Sequence, residues 1–516
     1  MVKLVNVDSG KVSVFRYLFP LLIFIFGCYM HFQRGYYSIG LSTSHAQGAD
    51  DAYISFRYGW NLANHGTLSW NESGYRRTEG FTNPLWVYTS ALWSLIGKKE
   101  WIYPLMVLTS VALSTALLTV LFYNVYYGNQ QRIPALLGLV IIVATPAIWV
   151  HTTSGLESGL FGIGLALLAY LILFRYRQDQ PPAALLLLVV MLGLLRSDAF
   201  IYLGIVLIAA LISGSKAWKS ILFGLLLSGL ILLVWRQITF GEWLPNTAYA
   251  KVNFSLLDRF KSGLLFLSAI FLSSGWLIVL LLGAAGLWLA PKRVMLGGLF
   301  IYLAWLGYYL YIGGDHFIER HLIGLFILAA CFSAPLWIRS GWFTRVLLML
   351  TIFVGIALTI QRDPGRYDYF QPKKDDAWMM LGQAMVEDRD SYGVVVIIAA
   401  GKIPFYAGGD FIDSLGLNDP YLARLQRERF VPGHSAGDDA AALELAASHQ
   451  SKIYSTFSYL NTDLISGPQA VRLWIDNRDP RDGVQYQLSN EQWQEALDAG
   501  SIFVWSIISQ PTYVSQ

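Results

Sequence analysis

Long apolar segments constrain this chain more than any other feature of its sequence. Crossing the hydrocarbon core of a bilayer takes about 20 apolar residues in a helix, with a working range of roughly 17–25. Segments close to that length recur from residue 15 to residue 360, and only 14% of the 516 residues are charged, against about 25% in an average protein. We therefore predict a polytopic α-helical membrane protein with about eleven transmembrane helices, at residues 15–33, 102–126, 133–150, 157–174, 180–195, 199–213, 219–238, 264–290, 296–312, 321–338 and 343–360.

One further apolar segment, residues 82–97, is shorter than a full span. It contains several Trp and Tyr residues and has a Pro near its start. Aromatic side chains of this kind collect at membrane interfaces. The segment is therefore interpreted as a helix that lies in the interface or dips into the membrane. If it were a full span, the membrane orientation of every later segment would be reversed.

The short loops set the orientation, because Lys and Arg concentrate on the cytoplasmic side of a membrane. With the N-terminus in the cytoplasm, every inner loop is basic. These loops carry Arg132, Arg175, Arg177, Lys216, Lys219, Lys292, Arg293, Arg339 and Arg345. The first long loop (34–101), the alternate tips and the C-terminal region are then predicted to lie outside.

The composition changes sharply after residue 360. Residues 361–516 are polar, with strand-like stretches at 394–400 and 502–508 and helix-like stretches at 438–448 and 490–498. The sequence therefore predicts a transmembrane domain at 1–360 and a C-terminal extracytoplasmic α/β domain at 361–516, which is a normal domain size. Aromatic residues of this tail, such as Phe405 and Tyr406, could stack on an acceptor glycan or simply form its core.

Charge and cysteine content exclude several classes of function. The formal net charge is only +3, so there is no electrostatic case for nucleic acid as a partner. The two cysteines, Cys28 and Cys331, lie in apolar segments and form no metal or disulfide motif. No Walker loop and no HExxH motif is present.

Two adjacent carboxylates, Asp50 and Asp51, follow the first span. A carboxylate at the membrane surface can act as general base on a hydroxyl group. Two carboxylates together can also bind a divalent cation such as Mg, Mn or Ca. The alternative is that one of them caps the helix that begins at Ala52, because Asp is a favoured N-cap residue.

Other polar residues of the predicted outer side could bind a substrate. Arg suits phosphate because its planar guanidinium forms paired hydrogen bonds, although each such Arg could instead meet lipid headgroups or a nearby Glu. Ionisable groups at membrane depth are costly and are candidates for function. The substrate-binding candidates are Arg57, Arg76, Arg77, Glu157, Arg196, Asp198, Asn246, Tyr249, Lys251, Asp315, His316 and Arg320.

Several segments of this side resemble one family. They are the Asp50-Asp51 pair with FRYGWNLANHG (56–66), RTEGFTNPLW (77–86), TSGLESGL (153–160), LRSDAF (195–200), LPNTAYAK (244–251) and GGDHFIER (313–320). Together they make the chain similar to GT-C class glycosyltransferases, which use polyprenyl-phosphate sugars, and more narrowly to the mycobacterial terminal arabinofuranosyltransferases and their bacterial relatives. Ser197 departs from the family pattern, which has proline at this position.

The resemblance implies a fold, a reaction and a site. The expected reaction is transfer of a sugar, such as the pentose arabinofuranose, from a polyprenyl-phosphate donor to a hydroxyl of a cell-envelope glycan or glycolipid. It would take place on the outer face of a bacterial inner membrane, with Asp50 as catalytic base beside Asp51 and no certain cofactor beyond a divalent cation. The alternatives are a pilin-type protein glycosyltransferase with the same donor and a transporter of lipid-linked sugars.

Overall fold

A computed structural model shows how these segments are arranged. It describes residues 15–37, 48–128, 139–140, 145–176, 181–251, 255–273, 275–315, 317, 319–362, 379, 382–383, 385–386, 395–397, 400–413, 415–424, 453–457 and 503–507.

Helices dominate the described part of the chain up to Arg362. Those before Phe240 are α1 (Phe15–Tyr37), α2 (Asp50–His65), α3 (Pro84–Ser94), α4 (Lys99–Gly128), α5 (Pro146–Thr153), α6 (Ser158–Tyr170), α7 (Ala183–Leu195), α8 (Ala199–Ser213) and α9 (Trp218–Phe240). Those after it are α10 (Asn246–Lys251), α11 (Leu256–Ser273), α12 (Trp276–Trp288), α13 (Lys292–Ile312), α14 (Ile323–Arg339) and α15 (Trp342–Arg362).

Four segments among the described residues are long and apolar enough to cross a membrane, or five if α11 and α12 form one broken span. The four are α4 (as Lys99–Tyr126), Ser158–Arg175, α9 and α13. Shorter apolar helices occupy other predicted spans, so the number of eleven stays a prediction. The predicted span at 264–290 is not one continuous helix among the described residues, because α11 ends at Ser273 and α12 begins at Trp276.

Helix α6 lies at the centre of the bundle, and all of its side chains are buried. An almost wholly apolar helix of this kind has no polar face to turn outward and is surrounded by other helices. Gly162 of α6 lies against Ile323 and Gly324 at the start of α14. Small residues at such a crossing let two helix backbones approach closely.

The segment at 82–97 forms a helix of only 11 residues, α3. At 1.5 Å per residue this helix is about 16 Å long, roughly half the thickness of a hydrocarbon core. Helix α3 packs along α2, where Gly59 lies against Ser90 and Ala91. Its length fits the prediction of a helix that does not cross the membrane.

Backbone hydrogen bonds gather the predicted outer loops at one end of the bundle. The amide of Ala49 donates to the carbonyl of Ser154, that of Ser197 to Thr82, and that of Asn246 to Glu79. At the other end Lys216 donates to the carbonyl of Tyr176. The tips that carry the candidate residues therefore meet, as the loop charges predict.

A four-stranded sheet is described in the tail, with strands β1 (Val395–Ile397), β2 (Phe411–Asp413), β3 (Ile453–Phe457) and β4 (Phe503–Ile507). Their order is β2-β1-β3-β4, and only the β3–β4 pair is antiparallel. Strands β1 and β4 lie within the predicted strand-like stretches, whereas the predicted helices at 438–448 and 490–498 lie outside the described residues.

The tail is not detached from the first outer loop. A short helix, α16 (Lys402–Ala407), packs against α2, with Phe405 and Tyr406 buried against Tyr53. These two aromatic side chains belong to a core shared by loop and tail, so they are not surfaces on which a glycan could stack. The described residues of the segment 400–424 therefore pack against the first loop.

Candidate active site

A cavity of about 630 Å³ opens at this end of the molecule. Its walls come from α2, the loop before α3, the start of α6, the α7–α8 tip, α9, the segment 243–248, α11 and the tip after α13. Leu417 of the tail also lines it. The volume is typical of a small-molecule site, for which about 300–1,000 Å³ is usual.

The two adjacent aspartates point to different places. Asp51 is half-buried and lines the cavity, and no ion pair or side-chain hydrogen bond of its carboxylate occurs among the described residues. Asp50 is buried, and its carboxylate accepts hydrogen bonds from the backbone N–H groups of Gly401 (3.0 Å) and Lys402 (2.7 Å). The structure therefore brings Asp51 to the cavity, whereas the expectation from the family resemblance had Asp50 as the base there.

A charged cluster forms one wall of the cavity. Arg196 donates to Glu157 (2.6 Å) and, through two nitrogens, to both oxygens of Asp198 (2.8 and 2.9 Å). Asn83 donates to the other oxygen of Glu157 (2.5 Å). Burial alone would raise the pKa of Asp198, but Arg196 and His321 lower it to about 2. Asp198 is therefore a fixed negative charge.

The tip after α13 continues this cluster. Asp315 accepts from Arg320 (2.6 Å), and its carboxylate lies 3.2 Å from Nε2 of His321. Nδ1 of His321 lies 3.0 Å from the Tyr202 hydroxyl. This imidazole is held between partners on both sides, which suits a residue that orders the cluster.

Arg236 of α9 lines the cavity next to this cluster. Its guanidinium donates to both oxygens of the buried Glu79 (2.7 and 3.1 Å) and to the Ser197 hydroxyl (2.6 Å). Burial raises the pKa of Glu79, and the hydrogen bonds from Arg236 oppose that rise. The pair joins the first outer loop to the α7–α8 tip.

Arg259, at the start of α11, differs from the other cavity arginines. No acidic side chain pairs with it in the part of the chain that the structure describes, and its Nε is buried without a hydrogen-bond partner. Its guanidinium lies 4.6 Å from the centre of the Tyr311 ring, a favourable cation–π geometry. An anionic group in the cavity would find this cation uncompensated.

One side of the cavity is apolar and reaches the surface of the bundle. Leu233, Trp243 and Leu244 line it and are exposed. They lie where α9 ends and the chain turns toward α10. The cavity therefore combines a charged interior with an apolar flank.

The structure brings about half of the predicted site residues into the cavity: Asp51, Glu157, Arg196, Asp198, Asp315 and Arg320. The Lys251 side chain and His316 lie outside the described residues.

Five other predicted residues join the first loop or α10 to their surroundings instead of lining the cavity. Arg57 donates to the carbonyls of Trp70, Pro404 and Gly409; Arg76 pairs with Asp419; Arg77 donates to Leu68. Asn246 donates to carbonyls of the tail loop, and the Tyr249 ring lies under Arg424. These contacts place the five side chains in packing between segments and not in the cavity, and the substrate role expected for them stays a prediction.

The two aspartates do not converge as a metal site. Both oxygens of Asp50 are engaged by backbone N–H groups, and the described residues contain no group of three His, Cys, Asp or Glu side chains that could hold a metal ion. The arrangement does not fit a divalent cation shared by this pair.

Four residues that lie in or beside the cavity were not predicted from the sequence. Glu79 and Arg236 are far apart in sequence, and Arg259 sits in a stretch, LLDRFK, that is typical of an exposed helix start. His321 is one residue beyond the GGDHFIER motif. The one available signal was that Arg236 lies at the end of an otherwise apolar span.

Residues 374–502 match the family model of a domain of unknown function, DUF8728. This stretch holds the tail segment that packs on the first loop. No protein among the curated proteins matches the chain.

Solved structures match nearly the whole chain. The Archaeoglobus fulgidus oligosaccharyltransferase in its apo form gives a TM-score of 0.52 at 12% identity, covering 88% of this chain and 70% of that one. ArnT from Cupriavidus metallidurans bound to undecaprenyl phosphate gives 0.49 at 13% identity, covering 86% and 94%. The first of these matches shows that the chain shares the fold of that oligosaccharyltransferase.

Proposed function

We propose that this protein is a membrane glycosyltransferase that transfers a sugar from a polyprenyl-phosphate donor to a hydroxyl group. One observation carries the proposal: a single cavity joins a carboxylate without a partner among the described residues, Asp51, to an arginine in the same condition, Arg259, beside an apolar flank. A general base, an anion site and a path for a lipid chain are the three parts that this reaction needs.

Asp51 is the proposed base. The acceptor oxygen attacks the anomeric carbon of the donor while its proton passes to the Asp51 carboxylate, and the bond from that carbon to the phosphate oxygen breaks. Polyprenyl phosphate leaves with the bonding electrons. Glu157, Asp198 and Asp315 are each engaged by an arginine, so they shape and polarise the site while Asp51 is free to accept the proton.

Arg259 is the proposed partner of the departing phosphate. Catalysis gains most from charges that meet the charge developing in the transition state. Arg196, Arg236 and Arg320 already face carboxylates, so their positive charge is largely compensated. The guanidinium of Arg259 is available, and its position on Tyr311 fixes it beside the cavity.

The proposed setting is the outer face of a bacterial inner membrane, with an envelope glycan or glycolipid as acceptor. A pentose such as arabinofuranose is the first donor to test, because the first-loop and TSGLESGL motifs resemble those of arabinofuranosyltransferases. The archaeal relative in fold is named as an oligosaccharyltransferase, so a peptide acceptor belongs in the same experiment.

The test uses purified protein in lipid nanodiscs with radiolabelled polyprenyl-phosphate pentose or hexose and with glycan, glycolipid and peptide acceptors. Transfer to any acceptor supports the proposal and identifies the acceptor class. Asp51→Asn is expected to lower the rate by about 10²–10⁴-fold, the usual contribution of a positioned base. Asp258→Asn, an exposed carboxylate at the start of α11, is the matched control.

Two results would overturn the proposal. One is full transfer activity in Asp51→Asn. The other is label that crosses the bilayer of proteoliposomes without reaching any acceptor, which would indicate a transporter.

A further inference from the structure

Residues 400–424 of the tail form part of the wall of the cavity. Leu417 lines the cavity itself. The side-chain amide of Asn246 donates to the carbonyls of Gly416 and Leu417 (both 2.9 Å), so the same loop holds the start of α10. The preceding residues, Trp243, Leu244 and Pro245, line the cavity on that side. The position of the tail loop therefore determines one side of the site.

Contacts with the first outer loop fix this tail segment in place. Asn71 exchanges two hydrogen bonds with the backbone of Phe411 (2.9 and 2.8 Å), as a neighbouring strand would. Arg76 forms two hydrogen bonds with the carboxylate of Asp419 (both 2.8 Å). Ser73 donates from its backbone to Asp410 (3.1 Å).

Asp50 holds the other end of the segment. Its two carboxylate oxygens accept the first two N–H groups of the chain that enters α16. The approach is close, because a Cβ on Gly401 would overlap the backbone oxygen of Asp50. Only glycine fits at residue 401 while the tail is docked.

We propose that Asp50 is a positioning residue that fastens the tail to the first loop, and that the docked segment 400–424 completes the cavity in which Asp51 acts. The inference rests on the proposed function for its activity readout. In this proposal Asp50 contacts the tail and has a structural role, whereas Asp51 contacts the acceptor and has a chemical role.

The first experiment measures docking without reference to activity. Hydrogen–deuterium exchange of peptides covering residues 400–413 is compared in the wild type, Asp50→Ala and Gly401→Ala. Both variants are expected to raise exchange at Gly401 and Lys402 by about tenfold or more, the order of one lost hydrogen bond to a charged acceptor. Unchanged exchange in both variants would overturn the proposal whatever the enzyme does.

The second experiment separates positioning from catalysis. Gly401→Ala leaves the Asp50 carboxylate intact, so it is expected to lose transfer activity only if docking matters. A short bis-maleimide that links Ser73→Cys, an exposed position, to Asp410→Cys, a half-buried one, then ties the loop to the tail. The native cysteines are buried. The crosslink is expected to restore activity to Asp50→Ala but not to Asp51→Asn. It is not expected to restore Gly401→Ala, because the added Cβ still collides with the Asp50 backbone when the segment is docked.

The outcomes are distinct. The proposal is overturned if crosslinked Asp50→Ala stays as inactive as Asp51→Asn while the crosslinked wild type is active. Asp50 would then be a catalytic group. If no variant and no wild-type protein transfers sugar, the proposed function fails, and the exchange experiment alone decides whether Asp50 fastens the tail.

Discussion

Arg259 is the cation that the cavity leaves without a carboxylate among the described residues, and its replacement gives a sharp test at the scale of one residue. Arg259→Gln is expected to lower kcat/KM for the polyprenyl-phosphate donor by about 10–100-fold, the range for loss of a hydrogen bond to a charged group. The kcat/KM of Arg259→Lys should lie between those of the wild type and Arg259→Gln, because lysine keeps the charge but not the planar pair of donors. Donor kinetics in nanodiscs measure both.

The control is Lys261→Gln, an exposed cation two residues further along the same helix. It removes the same charge from the same end of the molecule without touching the cavity. Equal effects of Arg259→Gln and Lys261→Gln would mean that general surface charge, and not a phosphate contact, sets donor affinity.

The residues that could be foreseen from the sequence share one property. Glu157, Arg196 and Asp315 stand next to long apolar runs, where an unpaired charge is costly, so their presence indicated a site. Arg259 stands among polar neighbours at a helix start, where a charge costs little. Its importance comes only from Tyr311 and from the absence of an acid beside it among the described residues, which depends on how distant segments pack.

At the scale of the element, helix α2 explains why Asp50 and Asp51 have different surroundings. Successive residues of an α-helix point about 100° apart, so two adjacent carboxylates at a helix start cannot both face the cavity. Which one does so is decided by α16, about 350 residues later in the chain. The two adjacent aspartates are visible in the sequence, but the contact between Asp50 and the start of α16 is not.

The junction of α2 and α16 also has a definite pH dependence. Burial raises the pKa of Asp50 to about 7, and the Asp51 charge adds to the rise. The backbone N–H groups of Lys402 and Gly401 and the charge of Lys402 oppose it. Freed from the tail, an Asp in water has a pKa near 3.9. Between these values the docked form binds more protons, so docking strengthens as pH falls through about 7 and weakens as pH rises.

This dependence is measurable as amide exchange at residues 400–407 between pH 8 and pH 5, corrected for the intrinsic exchange rate. Protection of the wild type is expected to increase toward pH 5, whereas Asp50→Asn, which has no proton to gain, should show no such trend. A wild type that becomes less protected as pH falls would contradict the assigned cause.

At the scale of the whole molecule, the arrangement of the loops was the most predictable feature. Charge density in the short loops predicts that Glu157, Asp198 and Asp315 lie on one side. The three tips do meet, because Arg196 contacts Glu157 and Asp198, and His321 contacts Asp198 and Asp315. The tail was less predictable. Its polar composition suggested a separate domain, but burial of Phe405 against Tyr53 joins residues 400–424 to the first loop, and composition carries no information on such docking.

Which membrane face this end occupies is the last prediction. Basic residues such as Lys216 and Lys292 are exposed at the end opposite the cavity, and Lys and Arg mark the cytoplasmic face. A membrane-impermeant thiol reagent should therefore label Ser73→Cys on intact spheroplasts and should label Lys216→Cys only after permeabilisation. Both positions are exposed, so a difference in labelling reports the side and not burial. Labelling of Lys216→Cys in intact spheroplasts, with Ser73→Cys protected, would place the cavity in the cytoplasm, where the donor would have to present its sugar on the inner leaflet.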